Sequence, residues 1–162
     1  MIEKDGVASE TLYRRQFPRD TTVLKRAKAV IECYKEIPCN PCETKCPVEA
    51  IQIGADINAR PIIDFTRCTG CGICVAICPG LAITLRKIEG DKAVLTCPYE
   101  LLPRPEKGDL LDVLNRHGTT IGQGRVLKVS DKTHQNKTVL VHVSMDKSLL
   151  FDAMTIEVPH ET

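Results

Sequence analysis

The sequence has no long apolar run and no excess of charge of one sign. No stretch reaches the ~20 mostly apolar residues that a membrane-spanning helix needs, so we expect no direct membrane span. The 162 residues include 22 basic and 21 acidic side chains, which give a formal net charge of +1. Nucleic-acid binding in general depends on neutralising phosphates with basic side chains. The charge balance therefore argues against a nucleic-acid partner.

Arrangements typical of catalytic sites are also missing. No Ser-His-Asp or Cys-His nucleophile pattern is present, and no cysteine run has the C-x3-C-x2-C spacing of a radical-generating cluster. Gly122 and Gly124 lack the ordered strand, helix and third glycine of a phosphate-binding loop. The histidines are scattered without metal-ligand spacing: His117, His134, His142 and His160. We therefore predict no catalytic residue in this chain.

Cysteine is abundant by contrast, with nine residues in the chain. No signal-like apolar segment opens the sequence. Thiols stay free to bind metal in reducing compartments. We therefore expect a cytoplasmic location.

Four of these cysteines lie in the run CTGCGICVAICP, from Cys68 to Pro79, spaced as C-x2-C-x2-C-x3-C-P. This spacing holds cubane iron–sulfur clusters, and the fourth cysteine reaches to the other cluster when two are present. Gly70 and Gly72 permit the positive φ angles of a backbone wrapped tightly around a cluster. A zinc knuckle or a group of buried structural thiols is the alternative. The complete four-cysteine run favours iron and sulfur.

The run is the second half of an internal repeat, because six residues recur after a shift of 32 positions. They are Cys39, Cys42, Cys46, Pro47, Ala50 and Ile51, which fall on Cys71, Cys74, Cys78, Pro79, Ala82 and Ile83. Such self-similarity indicates a duplicated unit. Residues 33 to 88 resemble a bacterial-type two-cluster, 2[4Fe-4S], ferredoxin domain.

The resemblance implies two [4Fe-4S] clusters, each held by three cysteines of its own half and one of the other half. The implied ligands of cluster 2 are Cys68, Cys71, Cys74 and Cys46. Those of cluster 1 are Cys39, Cys42, Cys78 and one further residue.

The fourth ligand of cluster 1 is the open question, because Glu36 occupies the position that matches Cys68. Cys33 lies three residues upstream, and a longer loop costs little closure entropy, so we predict Cys33. The alternatives are Glu36, Cys97, or no fourth ligand and hence a [3Fe-4S] cluster.

The predicted fold class is α+β: a ferredoxin-type domain with an N-terminal helix, followed by a small all-β, barrel-like domain. Residues 1–32 form an arm and helix, 33–97 the two-cluster domain, and 98–162 a β-rich interaction domain. The helix is predicted from an N-cap at Asp20 or Thr21 to near Pro38, because its apolar positions keep to one helical face. Those positions are Val23, Ala27, Val30, Ile31 and Tyr34.

The C-terminal part alternates short apolar runs with turn residues, as small all-β folds do. We expect turns at His117-Gly118, at Asp131-Lys132 and at Gln135-Asn136, and a single helix over 146–154. Pro98, Pro103 and Pro105 mark a linker before it.

The resemblance implies an electron carrier. The arm and the β-rich appendage favour a fixed subunit over a diffusing ferredoxin. The outline is similar to small iron–sulfur subunits of flavin-dependent dehydrogenases, such as those that oxidise amino or imino acids. We expect a flavoprotein dehydrogenase as partner in a hetero-oligomer. The alternatives are a free ferredoxin with an extra domain, or a redox-sensing or structural iron–sulfur protein.

Overall fold

The structure, a computed structural model, describes residues 2–131 and 137–159. It is mostly sheet, with nine strands in the described residues: β1 Lys28–Ile31, β2 Ile51–Gln52, β3 Ile62–Ile63, β4 Ile83–Glu89, β5 Lys92–Tyr99, β6 Leu110–Leu114, β7 Thr120–Ser130, β8 Val139–Asp146 and β9 Thr155–Glu157. Seven strands form one antiparallel sheet in the order β1-β4-β5-β8-β7-β6-β9, and β2 pairs with β3 in a second sheet.

The helices of this part of the chain are all short: α1 Ile2–Asp5, α2 Glu10–Arg14, α3 Pro41–Thr44 and α4 Ile73–Ile77. Two 3-10 turns lie at Thr21–Lys25 and Lys147–Leu149. Over residues 2–131 and 137–159, no helix is long and apolar enough to cross a bilayer.

The predicted N-terminal helix is wrong. Asp20 does cap an element, since its Oδ1 accepts a hydrogen bond from Thr22 N–H at 2.9 Å, but that element is the 3-10 turn Thr21–Lys25. The chain then enters β1, whose four residues are all buried and which pairs antiparallel with β4. Burial of consecutive residues suits a strand covered on both faces, whereas a surface helix buries only one stripe.

The 32-residue repeat extends into this strand. Ile31 pairs with Ile83 in the β1–β4 ladder, and Ile63 pairs with Ile51 in the β2–β3 ladder. A shift of 32 positions places Ile31 on Ile63 and Ile51 on Ile83, so the two pairs are repeat equivalents of each other. Thus β1 is the counterpart of β3, and the duplicated unit begins before Cys33.

The strands expected in a separate β-rich domain continue the sheet of the ferredoxin part. β5 pairs with β4 on one side and with β8 along its whole length on the other. The predicted boundary between residues 97 and 98 falls inside β5. One hydrophobic core packs between β5, β6, β7, β8 and β9 and includes Leu95, Val126, Val141 and Ile156. The shared strand ties the appendage directly to the cysteine-bearing segment.

Of the remaining predictions for this region, one turn is confirmed and the helix is wrong. His117 and Gly118 lie in the turn between β6 and β7, as predicted. The helix expected over 146–154 is only the 3-10 turn Lys147–Leu149. Lys132, the turn at 135–136, His134 and His160 lie outside the described residues.

A buried ion pair fastens β1 to the C-terminal part. Arg116 donates through Nε and Nη2 to the two carboxylate oxygens of Glu32, at 2.8 and 2.5 Å. The side chains are 7% and 4% exposed. Arg116 Nη1 also donates to the carbonyl oxygens of Phe151 and Asp152, and the guanidinium lies 3.5 Å from the ring centroid of Tyr13. Glu32 immediately precedes Cys33, so this pair positions the start of the cysteine loop.

We expect Arg116→Ala to lower stability by about 3 to 5 kcal/mol, because the Glu32 carboxylate is left buried without its partner. The measurement is unfolding of the anaerobically prepared protein in guanidinium chloride, followed by circular dichroism, from which the free energy of unfolding is obtained. Arg104→Ala is the matched control: Arg104 and Asp131 form an ion pair that is roughly half exposed, so its loss costs at most about 1 kcal/mol. Equal shifts in the two variants would contradict the structural role of the buried pair.

Candidate iron–sulfur cluster sites

The first cavity has a volume of about 70 Å³ and is lined by four cysteines together with apolar side chains from β1, β4 and the segment after β2. The cysteines are Cys33, Cys39, Cys42 and Cys78. These are the four residues predicted for cluster 1. Three come from the first half of the repeat, and Cys78 comes from the second.

The second cavity, of about 20 Å³, is lined by the four cysteines predicted for cluster 2: Cys46, Cys68, Cys71 and Cys74. Ala29, Ile51 and Leu85 contribute apolar walls. Here Cys46 is the residue that crosses from the first half. The structure therefore brings together both predicted sets and exchanges one cysteine between them.

A strained turn places each exchanged cysteine. Glu49 and Leu81, three residues after Cys46 and Cys78, both have φ of 51°, in the left-handed region that side chains other than glycine rarely adopt. The turn directs the next backbone N–H at the cysteine. Ala50 N lies 3.3 Å from Cys46 Sγ, and the repeat equivalent, Ala82 N, lies 3.4 Å from Cys78 Sγ. Both halves thus use the same device to hold the sulfur that reaches across.

The symmetry fails at one hydrogen bond. Ala29 N–H donates to Cys68 Sγ at 3.4 Å. The positions 32 residues away are Pro61 and Glu36, and proline has no backbone N–H. The second cavity therefore has a cysteine sulfur and a backbone N–H donor that are not reproduced at the repeat-equivalent positions.

The loop of the second cavity needs glycine at Gly70 and Gly72. Their φ angles are 70° and 83°, as predicted from the tight wrap. A Cβ added to Gly70 would lie only 2.3 Å from the carbonyl oxygen of Ala27. The loop thus packs against the segment that leads into β1.

Of the candidates for the fourth ligand of cluster 1, only Cys33 lines the first cavity. Glu36 is exposed. Cys97 lies in β5 with 1% exposure, inside the core of the main sheet. Burial raises the pKa of the Cys97 thiol to about 12. The geometry favours Cys33, whose pKa is raised by burial and by the neighbouring Cys78 and Cys39 thiols.

The cavities suit cubane clusters in their donor sets. Each offers four free cysteines, which is the usual protein complement of a [4Fe-4S] cluster. Backbone N–H groups are aimed at three of the sulfurs, and such donors help to set cluster potentials. Within residues 2–131 and 137–159, no three His, Cys, Asp or Glu side chains are placed to hold one metal ion. A cubane has a different requirement, since each thiolate bonds a separate iron.

Cluster binding must release protons. Burial raises the pKa of Cys74 to about 12 and that of Cys42 to about 11. Without iron, both thiols are therefore protonated at neutral pH. Iron binds the thiolate form, so each thiol loses its proton when iron binds.

Sequence reasoning missed two residues of β1 that contact the second site, Lys28 and Ala29. Lys28 Nζ donates to the carbonyl oxygen of Cys68 at 2.6 Å. The missed signal was the repeat itself: extending the 32-residue shift upstream places residues 28–32 on 60–64 and predicts a strand there.

Part of the chain is similar in sequence to known proteins. The 4Fe-4S binding domain family matches residues 61–84. The "Ferredoxin-type protein NapF" of Haemophilus influenzae is 38% identical over 35% of this chain and 33% of its own length. One subunit of an ion-translocating oxidoreductase complex, from Methanosarcina acetivorans, is 48% identical over 38% of this chain and 22% of its own. "Ferredoxin-3" of Chlorobaculum tepidum is 43% identical over 28% of this chain and 77% of its own.

The matches to the first two relatives span a third of their length or less. No solved structure matches the chain. The cysteine spacing, the paired cavities and these likenesses define a ferredoxin-type iron–sulfur protein. The chain belongs to the 4Fe-4S ferredoxin family.

We expect Cys33→Ala to convert cluster 1 to a [3Fe-4S] cluster, because one iron loses its protein ligand. The iron content falls by about one atom per chain, and the oxidised protein gains a paramagnetic signal. Iron analysis and electron paramagnetic resonance of the anaerobically purified variant measure both changes.

Cys97→Ala is the matched control, since Cys97 lies on neither cavity, and it should keep the iron content and spectrum of the parent protein. A Cys33→Ala protein with unchanged iron and spectrum would remove Cys33 from the ligand set.

Proposed function

We propose that this chain is an electron-transfer subunit that relays single electrons through two [4Fe-4S] clusters between a flavoprotein dehydrogenase and an acceptor. The observation that supports this proposal is the pair of cavities, each lined by four cysteines. Cluster 1 is assigned to Cys33, Cys39, Cys42 and Cys78, and cluster 2 to Cys68, Cys71, Cys74 and Cys46. When bound, each cluster can accept and return one electron.

One proposed ligand of each cluster lies on or directly after α4, which suits a relay. Cys74, on α4, lines the second cavity, and Cys78, just after α4, lines the first. Cys78 N–H donates to the Cys74 carbonyl oxygen at 3.1 Å. One helical turn therefore separates the two ligands, a rise of about 6 Å along the axis. Such a short separation favours electron transfer between the two sites.

Apolar side chains form part of the walls of both cavities. Ile31 and Ile83 pair across β1 and β4, and both line the first cavity. Ala29 and Leu85 pair in the same ladder and line the second. A dry environment with aimed N–H donors tunes cluster potential. These residues bind and insulate; none is placed to act on an organic substrate.

The partner is proposed from two considerations. One relative is named as part of an oxidoreductase complex, which is the setting of a fixed electron-transfer subunit. This chain also has an appendage that shares the sheet of the ferredoxin part, giving it surface beyond what two clusters need. We propose a flavoprotein dehydrogenase as that partner, of the kind that oxidises amino or imino acids, in a reducing, cytoplasmic compartment.

We expect a tagged chain, purified without oxygen from cells that make it naturally, to carry a stoichiometric flavoprotein. A substrate that reduces the flavin should then reduce the clusters, seen as loss of visible absorbance and the appearance of paramagnetic signals. Protein analysis, flavin content and stopped-flow absorbance provide the measurements.

The matched pair of variants is Cys74→Ala and Cys97→Ala. Cys74→Ala should retain the flavoprotein but slow electron passage, because it removes a proposed cluster 2 ligand, and Cys97→Ala should do neither. A monomeric product whose clusters reduce reversibly would instead identify a free ferredoxin. Cluster loss that alters binding of a partner would indicate a sensor.

A further inference from the structure

Lys28 is a buried cation beside the second cavity. It lies on β1 and is 8% exposed. Its Nζ donates to the carbonyl oxygen of Cys68 at 2.6 Å, while the next residue, Ala29, donates its N–H to Cys68 Sγ. Two consecutive residues of one strand thus direct a charge and a dipole at the same proposed ligand.

No carboxylate balances this charge, since none forms an ion pair with Lys28 in the part of the chain that the structure describes. A buried charge is costly unless it is paired. A [4Fe-4S] core held by four thiolates is a net anion, and it becomes more negative on reduction. The cluster is therefore the counter-ion that the position of Lys28 requires.

Among the residues that the structure describes, the first site has no buried cation equivalent to Lys28. The residue 32 positions after Lys28 is Arg60, which is exposed, as is Lys35, another cation beside the first cavity. Water screens exposed charges strongly, so both act weakly. Pro61 supplies no N–H where Ala29 does.

An acidic residue accentuates this difference. Glu43 follows Cys42 on α3, whereas the matching position after Cys74 is Val75. The Glu43 carboxylate is held in place by the backbone N–H of Ile53 at 2.9 Å. A fixed negative charge next to a ligand of cluster 1 disfavours the addition of an electron there.

We infer that Lys28 is the counter-cation of cluster 2 and makes that cluster the first of the two to accept an electron. The inference rests on the proposed two-cluster relay. Lys28 is a positioning residue for charge: it bonds no iron and stabilises the reduced state through its ammonium group. Electrons that enter the chain should therefore collect first at the site of Cys46, Cys68, Cys71 and Cys74.

The test is a redox titration of the anaerobically purified, cluster-loaded chain, followed by electron paramagnetic resonance. Lys28→Gln should lower the reduction equilibrium constant of one cluster by at least about tenfold, equivalent to about 59 mV for one electron. Lys28→Arg keeps the charge and should retain the parent value. Arg60→Gln, the repeat-equivalent control, should change either constant by less than about threefold, because solvent screens it.

The affected cluster is identified in the Cys33→Ala background, where cluster 1 is altered and the cluster 2 signal remains. Lys28→Gln with unchanged potentials, or with no larger shift than Arg60→Gln, overturns the inference. If Lys28→Gln fails to assemble cluster 2 and Lys28→Arg assembles it, a positive charge at position 28 is required and the inference is supported. Failure of both variants would assign Lys28 to packing and overturn it. A parent protein with one reducible cluster would reject the relay, while the shift in Lys28→Gln would still test the counter-cation.

Discussion

Each half of the repeat contributes one cysteine to the cavity of the other half, and this exchange fixes how the two halves pack together. Cys46 must leave its own half to line the second cavity, and Cys78 must do the reverse. Each follows a short helix, α3 or α4, and lies three residues before a backbone position with φ of 51°. Neither half can complete its cavity alone, and each of the ladders β1–β4 and β2–β3 likewise joins one strand from each half.

The main sheet extends this unit. β4 begins five residues after Cys78, pairs with β1 on one side and β5 on the other, and so joins the cavities to the large core. The buried pair of Glu32 and Arg116 fastens the same region from the opposite end of the sheet. The appendage is thereby coupled to the start of the cysteine loop at Cys33.

The candidate site was largely predictable, because thiolate spacing is a local property of the sequence. The run from Cys68 to Cys78 and its shifted copy predicted which cysteines would meet, and the structure brings those sets together. Their role as ligands remains a prediction. The choice of Cys33 required three-dimensional information, since Glu36 and Cys97 differ from it in burial and position, which spacing does not report.

The fold was less predictable where the spacing of apolar residues fits a helix but the segment forms a strand. Val23, Ala27 and Val30 fit a helical face, yet Ala29 and Lys28 between them are buried too, and tertiary pairing with β4 decides the strand. The continuous sheet through β5 also escaped prediction. Pro98 suggested a linker, but it lies within β5 and pairs with Leu140 of β8.

We propose that the chain holds two cubane clusters at neighbouring sites. The most direct test is iron and sulfide analysis of the unaltered protein, prepared without oxygen, combined with its fully reduced paramagnetic resonance spectrum. We expect about eight iron and eight sulfide atoms per chain, with spectra broadened by magnetic interaction between two reduced clusters. About four iron atoms per chain and one isolated signal would contradict it.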